Sequence, residues 1–282
     1  HYLFGTDRFS LLIDGTLRSM SSGNQIDLQA PGPIIVSGII ESNDASSLRV
    51  RSDDWVYLDT HATVQDSIKV YGGYSSSYTP NGNADRNGSS VYVDKLSVLN
   101  TLASASTVDI YGAQDVDLLG STVSGGTVGD SGVTIAGEDS SISVTAGQQV
   151  MLASGLQTSG DISVAGGSTS QEDFELSVVV DTRGGIYSAG QTSSDHGARI
   201  DITAANNLEI MGYVVSGANA VVEYDADNVF LGRTFDWSSE PSEVHIQATG
   251  QAFIGGNTSN AAGDEIQTGG YIYAADKIRI DG

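Results

Sequence analysis

Chemistry needs groups that converge, and the acids Asp53 and Asp54 in "SDDW" are the first candidates in this chain. Paired carboxylates cleave glycosidic bonds when one protonates the leaving oxygen while the other attacks or activates water. Enzymes of that kind add a histidine, arginine or lysine on the same face. No glycine-flanked histidine lies near "SDDW", and His196 in "DHG" is about seven turns away for a repeat of about 20 residues. Asp53 and Asp54 therefore read as a solvated charge pair. The four histidines, His1, His61, His196 and His245, show no HExxH or other metal spacing, and neither a GxSxG elbow nor a phosphate-binding glycine loop occurs. Serines abound, but a serine without a positioned base is a turn residue. No catalytic centre is expected.

Binding groups are easier to name. Tyr71, Tyr74 and Tyr78 sit in or beside the longest insertion, "YGGYSSSYTPNGNADRNGSS", and Trp237 sits in another, "RTFDWSSEPS". Such rings offer flat amphipathic surfaces to sugars or proteins, with packing onto the main body as the plainer alternative. No cofactor is expected. Weak Ca²⁺ binding would fall to turn acids such as Asp225, Asp227 and Asn228 or Asp130, although "GGTVGDSGV" puts its aspartate too early for the calcium-binding nonapeptide. A net charge of −23 on 282 residues, with 12 basic side chains, repels nucleic acid and anionic lipid headgroups, so neither is an expected partner. No apolar run reaches the length of a membrane span, and there is no cysteine for disulfides or thiolate sites.

The elements that must carry these side chains repeat. Counting from the first apolar residue of a unit, Ile26, Leu28, Ile34, Val36 and Gly38 fall at fixed offsets. Those offsets recur at Val108, Ile110, Val116, Leu118 and Gly120, at Ile200, Ile202, Leu208, Ile210 and Gly212, and at Val244, Ile246, Ala252, Ile254 and Gly256. Units beginning at Leu48 and Ile142 keep the apolar positions, and further starts fall at 68, 162 and 222. The basic period is about 20 to 22 residues, lengthened where loops are inserted. Period-two alternation marks short strands with one buried face, and Gly, Asn, Asp and Ala fill the turns between them.

A unit this small cannot enclose a core alone. Stacked coils of three short strands, each strand parallel to its counterpart one coil along, bury the aliphatics continuously and satisfy the backbone between coils. The expected fold is all-β, a right-handed parallel β-helix, with a β-propeller as the main rival. Roughly ten to twelve rungs would make a rod about 50 to 60 Å long. Residues 1–23 match the frame least and are expected to form an irregular first rung, with the β-helix over 24–282. Its last pair, Ile278 and Ile280 in "KIRIDG", stands without a capping helix, so an excerpt of a longer chain is expected, or a subunit whose end pairs with a neighbour.

The units "ARIDITAANNLEIMGYVVSG", "SSISVTAGQQVMLASGLQTSG" and "STVDIYGAQDVDLLGSTVSGG" resemble repeats of the filamentous haemagglutinin family, large bacterial exoproteins exported by two-partner secretion. The resemblance covers most of residues 24–282. It implies a secreted or cell-surface shaft used in adhesion, biofilm or display, with a host or neighbouring-cell glycan or protein as partner. The family's secretion domain carries an Asn-Pro-Asn-Gly motif, of which "TPNGN" is only a partial echo, so that domain is not expected here. Two alternatives stay open: a β-helical polysaccharide lyase or hydrolase, and a subunit stacking end to end into a filament or viral tailspike.

Overall fold

The computed structural model describes residues 11–19, 23–42, 46–73, 89–129, 132–168, 176–192, 197–224, 230–238, 241–259, 265–268 and 270–282. Every regular element among them is a β-strand, so the chain is all-β, and no helix is long and apolar enough to cross a membrane. Strands of a nine-stranded sheet run Gln25–Ala30, Ser47–Ser52, Ser67–Gly72, Thr107–Gly112, Ser141–Ala146, Ile162–Gly166, Ala198–Ala204, Ser242–Ala248 and Lys277–Asp281. Each pairs in parallel with the next, without a register shift. A second, 15-stranded sheet contributes two further parallel series, joined because Leu11–Ser19, Ile34–Ser42 and Val56–Val64 each run through both.

The alternating aliphatics produce this register. In the nine-stranded sheet Ile26, Leu48, Ile68, Val108, Ile142, Ile162, Ile200, Val244 and Ile278 occupy one column. In the larger sheet Ile34, Val56, Val91, Val116, Val150, Val178, Leu208 and Ala252 form another. From Ile34 to Ala248 these columns make one continuous buried cluster. Burying each such side chain stabilises by about 1.5–3 kcal/mol, and a slip of one residue would turn every one of them outward.

One corner of the core is polar. Thr101, Ser124, Thr158, Ser188 and Ser216 are register partners in succession, all fully buried. Four of the five hydroxyls bind side chains or carbonyls, among them Thr101 Oγ1, 2.7 Å from Ser106 Oγ and 3.0 Å from Ser124 Oγ, and Ser188 Oγ, which donates to Gly160 O at 2.6 Å; Thr158 Oγ1 has no partner among the described residues. The glycine at the fixed offset has a steric cause. A Cβ on Gly120 would come within 2.4 Å of Asp94 O, and one on Gly212 within 2.2 Å of Gly184 O, so the chain passes there in direct contact with backbone about one repeat earlier in sequence.

Three findings depart from the expectations. Among the described residues each parallel series has nine strands, against the ten to twelve rungs expected, and repeat-sized stretches such as 218–237 go to hairpins instead. The unit starting at Val222 is not a rung: Ala218–Tyr224 and Phe230–Trp237 pair antiparallel as a hairpin outside the two large sheets. Gly126–Gly129 with Gly132–Ile135, and Gly256–Ser259 with Glu265–Thr268, form similar hairpins that the repeat did not announce. Leu11–Ser19, within the stretch 1–23, pairs residue for residue with Ile34–Ser42.

Candidate functional site

Strand alternation turns the residues between the buried aliphatics outward, so the register also fixes a grid on the outer face of the nine-stranded sheet. Its first outward column begins Asp27, Arg49, Lys69, Asp109 and its second Gln29, Arg51, Tyr71, Tyr111. Arg49 lies 3.8 Å from Asp27 and Lys69 lies 3.7 Å from Asp109, so the acids at each end neutralise the cation beside them. Arg51 is exposed and has no acidic partner among the described residues. The grid floors a groove of about 1000 Å³, edged by Gln25, Ser47, Ser67 and Asp66, and Arg51 also borders an adjoining hollow of about 360 Å³ with Gln29 and Asp53.

Tyr71 thus lies in a concavity, next to a ring that the sequence did not single out, Tyr111. Tyr74 and Tyr78 fall outside the described residues, as do Asp130, Asp225, Asp227, Asn228 and His196. Asp53 is exposed, but Asp54 is only 2% exposed, which corrects the reading of the two as a solvated pair. At the end of Ser47–Ser52 the chain turns inward, and the Asp54 N–H donates to Ser52 Oγ at 3.0 Å. Among the described residues no histidine lines the groove.

Trp237 lies elsewhere, on the hairpin strand Phe230–Trp237. That hairpin covers the outer face of the 15-stranded sheet, where Tyr187, Val215 and Ala218 form a small buried cluster with Tyr213 and Phe235 packed against it. Trp237 stands at its rim, 47% exposed, with its ring centroid 6.2 Å from those of Phe235 and Tyr273. Tyr271 stacks on Tyr213 at 4.9 Å. Tyr71 and Trp237 therefore belong to two surfaces on different sheets.

A third cluster was missed. Asp201, His245 and Arg279 are consecutive outward partners on the last three strands of the nine-stranded sheet, with Asp281 diagonal to His245. His245 Nδ1 lies 2.8 Å from Arg199 and 3.2 Å from Asp201, and Nε2 lies 3.1 Å from Asp281. Arg199 meets Asp201 at 2.7 Å and Arg279 meets Asp281 at 2.6 Å. The His245 hydrogen bond, aided by Arg279 and opposed by partial desolvation, holds the Asp281 carboxyl below its ordinary value of 3.8. Both ring nitrogens of His245 are engaged, so the cluster ties three strands together. The signal lay in the residues inside each "IxI", which matter only once the register aligns them.

Among the described residues no three His, Cys, Asp or Glu side chains are grouped to hold a metal ion. No family model, curated protein or solved structure matches this chain. Function must therefore be argued from these surfaces and the sheets that carry them.

Proposed function

We propose that the chain winds as a right-handed parallel β-helix and is the structural and adhesive shaft of an exported bacterial surface protein of the filamentous haemagglutinin type. The observation that carries this reading is the unbroken register of the nine-stranded sheet, from Ile26 to Ile278. Columns of parallel strands whose connections return to the same edge suit a single winding direction, and crossovers between parallel strands are almost always right-handed. Nine rungs at about 4.8 Å each give about 40 Å of shaft. A stack of this kind resists bending, since moving one rung disturbs the aliphatics of the next, and it leaves its outer faces free to meet a glycan or protein on a host or neighbouring cell.

Two measurements test the proposal. Cryo-electron microscopy of the native protein is expected to show a thin right-handed shaft with this rung spacing; a left-handed path, or strands returning antiparallel within the main sheets, would overturn the winding. Antibody labelling of intact source cells is expected to equal that of lysed cells. Labelling seen only after lysis would overturn the surface role.

A further inference from the structure

We infer that the groove on the nine-stranded sheet binds a uronate-bearing saccharide, its carboxylate on Arg51 and its sugar ring over Tyr71 and Tyr111. The inference deepens the adhesive reading and rests on it for its biological setting.

Charge placement is the first reason. Three of the chain's 12 basic side chains, Arg49, Arg51 and Lys69, lie on two adjacent strands. Arg49 and Lys69 are direct register partners, an arrangement of like charges that a sheet disfavours unless something offsets it. Asp27 and Asp109 offset those two at 3.8 and 3.7 Å, and Arg51 remains over. Its planar guanidinium offers two parallel N–H donors, the fork that a carboxylate accepts.

The local charge balance selects the kind of anion. With Arg49 and Lys69 offset by Asp27 and Asp109, Arg51 is the unmatched cation of the groove among the described residues, and Asp53 and Asp66 in its lining repel any ligand that brings more charge than one carboxylate can place on Arg51. At physiological salt, charges beyond about 8 Å are largely screened, so a carboxylate held directly against Arg51 feels that guanidinium more than the distant acids of a chain of net −23. A sulfated polymer or a nucleic acid brings many more charges against the acidic body and is disfavoured. Tyr111 is 44% exposed beside Tyr71 in the next strand, and aromatic faces suit the C–H faces of a pyranose. Ser47 and Ser67, joined at 2.9 Å, add hydroxyls at the edge for those of the sugar.

Calorimetric titration of the whole 282-residue chain with trigalacturonate, its full methyl ester and sialyllactose tests the inference. Trigalacturonate should bind, its methyl ester at least about tenfold more weakly, and binding should weaken as salt rises. Arg51→Gln should weaken it about tenfold and Tyr111→Ala roughly three- to tenfold, with thermal unfolding unchanged. Binding of ester and acid alike, indifference to Arg51→Gln, no binding of trigalacturonate at millimolar concentration, or tighter binding of sialyllactose, whose acid is not a uronate, would each overturn the inference. So would a heparin fragment that binds more tightly than trigalacturonate and ignores Tyr111→Ala. A surface-labelled shaft that fails these titrations loses the groove and keeps the adhesive reading; an intracellular protein that passes them does the reverse.

Discussion

Thr122 stands where its register neighbours are leucines. It is fully buried between Leu99 and Leu156, and its hydroxyl has no hydrogen-bond partner among the described residues. A desolvated hydroxyl costs stability that an isosteric methyl does not, so Thr122→Val should stabilise the chain by about 1 kcal/mol, read as a higher denaturant midpoint at constant slope. Ile162 shows the opposite case. Buried between Ile142 and Ile200, its replacement by alanine should cost about 2–5 kcal/mol in the same measurement. Ile162 was legible in the sequence because every "IxI" announces itself locally. Thr122 was not, since threonine also suits turns and only the neighbouring strands show which side it faces. The same limit hid Tyr111 and His245, whose partners come from strands 40 and 44 residues away in sequence at Tyr71 and Asp201.

At the scale of elements, the repeat and its parallel pairing followed from the shared offsets, whereas the hairpins did not. Ala218–Tyr224 and Phe230–Trp237 carry the alternation of a rung, and period two does not distinguish a strand added to a stack from one folded back on its neighbour. The hairpin is anchored by Phe235, whose ring lies 6.1 Å from that of Tyr213 and 6.2 Å from that of Trp237. Phe235→Ala should loosen this edge and shift Trp237 fluorescence to longer wavelength while the main unfolding transition persists. The last strand of the nine-stranded sheet has a pH dependence of its own. Because folding lowers the Asp281 pKa, the ionised carboxylate stabilises the strand above its unfolded value near 3.8, and that contribution is lost as pH falls through the folded value. Amide exchange in Lys277–Asp281 should therefore accelerate below about pH 4, and Asp281→Asn should remove this pH dependence.

Across the described residues the core is continuous, but the last strands of the parallel series are bare. Ile254, Ile278 and Ile280, from columns that are buried elsewhere, are 42%, 45% and 46% exposed. Open strand edges bearing aliphatics pair readily with other chains, so the isolated 282-residue chain should associate as concentration rises. Ile278→Lys with Ile280→Lys should return it to a monomer in sedimentation velocity. The hydroxyl corner has a mechanical meaning as well. Thr101, Ser124, Thr158, Ser188 and Ser216 run like a keyway along one side of an otherwise greasy interior, where aliphatic surfaces alone could slide past one another at little cost. Twisting one strand layer against the next would strain these side-chain bonds in addition to the backbone ladders of all three series. Torque applied at one end should therefore reach the other with little loss.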